Sequence, residues 1–166
     1  AIALGANITG AGADITLQTA TAATTIGIGD GSFGAFKLDS TEIGFLVNGF
    51  NLITIGSATG SGNIDMRAIT FNDSTTIQSP NGDISVNGLL QCTQVGGTLT
   101  LDAAATTIIL NANIVTDRAA IVLDGGAEVS GGDRTLDTTN GGALGSEAGA
   151  NISITGATDS TVGETN

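Results

Sequence analysis

The sequence predicts an all-β fold, a parallel β-helix or β-solenoid, and three observations carry that prediction. A triplet of apolar, small or polar, then apolar residues recurs along nearly the whole chain of 166 residues. Each copy is a strand too short to make a hydrophobic face in an open sheet, yet long enough when coils stack at about 4.8 Å. The Asn-Gly steps at Asn48-Gly49, Asn81-Gly82, Asn87-Gly88 and Asn140-Gly141 seldom fall midway between two equal strands, so they suit corners better than hairpins. The apolar residues are mostly small and aliphatic, and all five aromatic residues are Phe, with no Trp or Tyr. Such side chains fit the ladders of a narrow solenoid, whereas a sandwich is usually filled by larger aromatic ones.

In chain order the triplets are Ile2-Ala3-Leu4, Ile15-Thr16-Leu17, Ile26-Gly27-Ile28, Ile53-Thr54-Ile55, Ile64-Asp65-Met66, Ile84-Ser85-Val86, Leu99-Thr100-Leu101, Ile121-Val122-Leu123 and Ile152-Ser153-Ile154. Gly, Asn, Asp or Ser bounds each of them. At about 20 to 25 residues per coil, the chain is expected to make roughly seven coils. Thr occupies 25 positions and, with Ser and Asn, alternates outward, where a β-branched side chain suits the pleated surface.

One segment breaks the pattern. Asp39-Ser40-Thr41-Glu42 has the form of a capping box, with Asp39 at the N-cap and Glu42 reaching back to it. Ile43, Leu46, Val47 and Phe50 follow at i, i+3, i+4 and i+7, and Gly49 suits the position after a helix end. The spacing predicts a short helix over 40–48 within an insertion at 39–50, packed across a side or open end of the solenoid and shielding Phe33, Phe36 or Phe45 from water.

A longer repeat overlies the short one. Gly12-Ala13-Asp14-Ile15-Thr16-Leu17, Ala20-Thr21 and Thr25-Ile26-Gly27 resemble Gly149-Ala150-Asn151-Ile152-Ser153-Ile154, Ala157-Thr158 and Thr161-Val162-Gly163, at an offset of 137 that shortens to 136. Ala3-Leu4-Gly5 likewise resembles Ala143-Leu144-Gly145. The chain is therefore read as a single β-solenoid segment over 1–166, about one 137-residue unit plus the start of the next, or as a subunit whose ends imitate each other. Uncapped coils leave unpaired backbone groups that template the next chain, and a head-to-tail contact of that kind propagates as a filament. Strand alternation from the first residue, with neither a basic leader nor an initiating Met, suggests a processed product or a piece of a longer chain.

Sixteen carboxylates against Lys37, Arg67, Arg118 and Arg134 give a net charge of −12, which repels phosphate backbones and makes nucleic acid a poor partner. No apolar run approaches the ~18 residues of a membrane-spanning helix. The single Cys92 cannot close an internal disulfide and reads as a small buried hydrophobe at a strand edge.

Several segments together carry a family resemblance. Ile26-Gly27-Ile28-Gly29-Asp30-Gly31, Leu38 to Gly49-Phe50, Ile53-Thr54-Ile55-Gly56, Gly60-Ser61-Gly62-Asn63-Ile64, Phe71-Asn72-Asp73 and Ile77-Gln78-Ser79-Pro80-Asn81-Gly82-Asp83-Ile84-Ser85-Val86-Asn87-Gly88 follow one another in an order that resembles a repeat region of very large bacterial surface proteins. These are the filamentous-haemagglutinin-like exported proteins, of the cyanobacterial type. The resemblance covers about residues 12 to 125. It implies a right-handed parallel β-helix, exported, forming a stalk or fibre in adhesion or an extracellular sheath. It supplies no catalytic residues.

Chemistry-bearing patterns are sparse. Asp30, Asp65, Asp73 and Asp83 lie near glycine turns and are the candidates for calcium, which takes oxygen from such loops, although solvated turn carboxylates are the simpler reading. The Gly-Gly-x-Gly-x-Asp pattern of calcium β-rolls is absent, and no other cofactor is suggested. A glycosidase needs two carboxylates across a cleft, for which Asp65, Asp83, Asp102 and Asp124 are available. There is no His, and neither Tyr nor Trp to stack a sugar ring, so the expectation is not an enzyme. Gly27-x-Gly29-x-Gly31 has no basic partner and reads as turns. An ice-binding face would need Thr-x-Thr on every coil, and the Thr pairs do not recur at a constant period.

These observations lead to the expectation of a structural subunit or segment of an extracellular bacterial surface fibre, with its own kind as partner and extracellular polysaccharide as a further one. The alternative is a globular β-helix adhesin or carbohydrate-binding module that presents loops to a partner.

Overall fold

A computed structural model describes residues 3–143 and 148–160. Ile2, Leu144, Gly145 and Thr161-Val162-Gly163, on which part of the repeat reading rests, lie outside the described residues. The chain is mostly β-structure. β1 (Ile8–Thr9), β2 (Asp14–Leu17), β3 (Ile26–Ile28) and β4 (Phe36–Leu38) lead to a single helical turn, α1 (Ser40–Gly44), and to β5 (Leu46–Val47). Two coils follow, made of β6 (Leu52–Gly56), β7 (Ile64–Met66) and β8 (Ile69–Phe71), then β9 (Thr75–Gln78), β10 (Ile84–Val86) and β11 (Leu90–Cys92). The next coils run through β12 (Thr98–Leu110) and β13 (Ile114–Thr116), then β14 (Ala120–Val129) and β15 (Leu136–Asp137), before β16 (Ile152–Ile154) and β17 (Thr158–Ser160).

Among the described residues every strand pairing is parallel, apart from an isolated antiparallel bridge between Asp117 and Thr139. Three ladders result. β2, β6, β9, the first half of β12, the first half of β14 and β16 stack in the first. β4, β3, β7, β10, the second halves of β12 and β14, and β17 stack in the second. β8, β11, β13 and β15 form the third, and β1 pairs with β5 apart from it. Parallel pairing of each strand with one roughly a coil away is the pattern of a β-solenoid.

Period-two alternation turns one set of side chains inward, and register stacks them into columns. Leu17, Ile55, Ile77, Leu101, Leu123 and Ile154 make one column, and Ile26, Ile64, Ile84, Ile108 and Ala127 another. Ile55, Ile77, Leu101 and Leu123 are wholly buried, each contributing about 1.5–3 kcal/mol of apolar burial. Thr75 interrupts its aliphatic column but is satisfied, donating its hydroxyl to the Asp73 carbonyl at 2.9 Å. At the corner after β6, Gly56 has φ +107°, and a Cβ there would lie 2.0 Å from the Gln78 carbonyl oxygen. No other residue type permits that approach of adjacent coils.

The helix is shorter than the spacing predicts. The capping box forms, Asp39 accepting the Glu42 N–H and Glu42 the Asp39 N–H, but α1 ends at Gly44 with Phe45 as C-cap. Leu46 and Val47 leave the helix to pair with Ile8 and Thr9, so a lateral backbone ladder overrides the helical periodicity. Ile43, Leu46 and Phe50 are nevertheless buried. Phe36 is buried and Phe45 half-buried, whereas Phe33 stands 72% exposed on a turn between β3 and β4. Ala3 and Leu4 form no strand. The first ladder holds six strands, fewer than seven coils would give, because the coil from Ile15 to Ile53 also carries β4, α1 and β5.

Candidate functional site

The two ends of the column stack differ. At the N-terminal end Leu4, Ile8 and Ile15 pack against the core, and Leu17, Phe36, Leu38 and Ile43 beneath them are buried. Glu42 of α1 ties this cover down by accepting the Leu4 N–H at 3.3 Å. β4 also adds a strand to the N-terminal side of the second ladder, so that end is stepped rather than flush. At the other end Ile152 and Ile154 are 44% and 37% exposed, although Ile121 and Leu123, their neighbours one coil inward, are wholly buried.

The long repeat is placed unevenly by this geometry. Ile15 and Ile152 share a column of the first ladder. Thr158, however, stands in the column of Ile26, whereas the 137-residue offset aligns it with Thr21. The corner after β2 is longer than the corner after β16, and the repeat slips there.

Of the four carboxylates named for calcium, Asp30, Asp73 and Asp83 stand at separate turns, whereas Asp65 is the outward middle residue of β7 and belongs to no turn. Asp30 accepts the Ser40 N–H at 3.0 Å, and Asp83 the Thr107 N–H at 3.2 Å. Asp65 accepts the Phe33 N–H, the Asn87 amide and the Arg67 Nε. Asp73 is buried, its Oδ1 accepting the Gly49 N–H at 2.9 Å and its Oδ2 without a hydrogen-bond partner. Among the described residues no three His, Cys, Asp or Glu side chains gather in one place.

Cys92 is buried in the third ladder, its thiol 3.6 Å from the Asp73 carbonyl. Burial pushes the thiol pKa up against the lowering effect of the Gln94 backbone, and the Asp73 charge adds to the rise. Asp137 goes the other way, held below the usual carboxylate range by the Thr139 hydroxyl and backbone N–H.

Two surface features escape sequence periods. Thr16, Thr54, Thr76 and Thr100 form one outward column despite unequal spacing in the chain, interrupted next by Val122. Where α1 faces β8, the third ladder stops and a cleft of about 330 Å³ opens, lined by Ile43, Leu46, Thr70 and Phe71 among others. No family model, curated protein or solved structure matches the chain. Among the described residues no helix is long and apolar enough to cross a membrane.

Proposed function

We propose that the chain is a structural segment of an extracellular bacterial surface fibre, a right-handed parallel β-helix that transmits load through its backbone ladders. The exposure of Ile152 and Ile154 carries this reading. Among the described residues the columns sealed coil after coil end there with apolar side chains exposed and β16 paired on one side only, a surface that suits one more coil. The covered, stepped N-terminal end makes flush stacking of identical copies unfavourable, because β4 takes the level that a neighbour's β17 would need beside β16. A continuing solenoid is thus favoured over a polymer of separate subunits. The low charge fraction, the sheathing Thr and Ser and the likeness to filamentous-haemagglutinin-like repeats support an extracellular setting.

Immunogold labelling of intact source cells with antibody against this chain tests the proposal. Labelled surface filaments are expected; labelling only after permeabilisation would refute it.

A further inference from the structure

We infer that the flank beside Phe33 is a binding site for a neutral saccharide chain. The site is independent of the open coil at β16, and either can fail without the other. Between β3 and β4 the chain makes a detour through residues 29–35 that passes over the outer face of β3 at Gly27. The detour is built closely onto that face: a Cβ on Gly27 would lie 2.7 Å from the Ser32 hydroxyl, and one on Gly34 would lie 2.3 Å from the Gly27 nitrogen. Ser32 is buried by the arrangement, and its neighbour Phe33 is lifted into solvent at 72% exposure. The ring serves no core and instead forms one wall of a groove whose other walls are largely polar.

The surroundings of the ring say what it would contact. The Asp65 carboxylate holds the turn from the adjacent coil, accepting the Phe33 N–H at 2.6 Å. It also pairs with Arg67 Nε at 3.2 Å, and the Arg67 guanidinium lies over one face of the ring, 5.3 Å from its centroid, so a sugar would stack on the opposite face. Asn87 donates to Asp65 at 2.6 Å, and Asn111 donates to Asn87 at 2.7 Å, so a row of planar polar groups runs down three coils. Phe33, Asp65, Arg67, Ser85 and Asn87 line one groove of about 290 Å³.

An apolar ring beside fixed amide, carboxylate, hydroxyl and guanidinium groups matches a pyranose, which offers a C–H face for stacking and hydroxyls that both donate and accept. The row along the solenoid axis suits a chain of such units better than a single one. Charge selects against polyanions: Arg67 is already paired with Asp65, and the whole chain carries −12. The absence of Trp and Tyr, which argues against sugar stacking when the sequence is read alone, is answered by this Phe.

Titration of isotope-labelled protein with cellopentaose, mannopentaose and galactopentaose, followed by NMR, tests the inference. At least one should give saturable shifts of the Phe33 ring and Asn87 amide. Phe33→Ala should weaken that binding about tenfold, Phe33→Trp should retain it, and Val95→Ala, at another exposed apolar position, should leave it unchanged. The substitutions at Phe33 should not alter the circular dichroism spectrum. No shift with any of the three probes, equal weakening by Val95→Ala, or tighter binding of pentagalacturonate than of every neutral probe would overturn it.

Discussion

Ile15 and Ile152 open and close one inward column of the first ladder, yet Ile15 is half-buried, packed against the core as Leu4 and Ile8 also are, while Ile152 is 44% exposed. Their local sequences are similar; their surroundings are not. The helix, β4 and the residues before β2 close one end of the coil stack, and the described residues leave the other open.

The interior columns should be intolerant of charge. Ile84 is wholly buried between Ile64 and Ile108. Ile84→Ala should cost about 2–5 kcal/mol, and Ile84→Asp should abolish folding, because an unpaired carboxylate would sit in the stack. Urea denaturation checks the first and circular dichroism the second. An Ile84→Asp chain with native dichroism would show that the inward face is misassigned.

Glycine positions should separate by environment. Gly56→Ala forces a Cβ against the Gln78 carbonyl at a left-handed backbone position, and should lower stability by more than about 2 kcal/mol. Gly44→Ala, in α1 with nothing within 4 Å, should raise it by up to about 1 kcal/mol. The two denaturation midpoints should move in opposite directions.

The capping box offers a local test. Asp39→Ala should cost about 1 kcal/mol by leaving the Glu42 N–H without its acceptor. Asp39→Ser should recover most of that loss in thermal unfolding.

Cys92 should be inert in the folded chain. Its thiol pKa is raised on folding, so its contribution to stability is present below the ordinary thiol value and is lost as pH rises through the folded value. As pH rises above about 8.5, the ordinary thiol value, the stability of the native sequence should therefore fall more steeply than that of Cys92→Ala. Iodoacetamide should modify Cys92 only as the chain unfolds; rapid labelling of native protein would contradict its burial.

Much of the coil stack is legible in the sequence, because Ile-x-Ile triplets carry both the alternation and the column. Every triplet from Ile15 to Ile154 is a strand in the first or second ladder. The third ladder is harder to read. Ile69-Thr70-Phe71 and Ile114-Val115-Thr116 mix residue types, and Thr116 is buried only because its hydroxyl reaches the Ala119 carbonyl. β4 and β5 escape because their partners are set by tertiary pairing, β5 against an apparent helical period. The outward Thr column is hidden by coils of unequal length. Phe33 is a different kind of miss: aromaticity suggests burial, and only the fit of Gly27 and Gly34 reveals that the turn pushes the ring outward.

The open end at β16 is tested most directly by hydrogen exchange of the outward-facing amides of Ile152 and Ile154 at rising protein concentration. They should exchange fast in dilute solution, where Ile121 to Leu123 are protected, and slow only where two open ends meet face to face, since the covered N-terminal end gives them no seat; the Ile152→Lys, Ile154→Lys double variant should show no such slowing. Protection at every concentration equal to that of Ile121 to Leu123 would contradict an open coil.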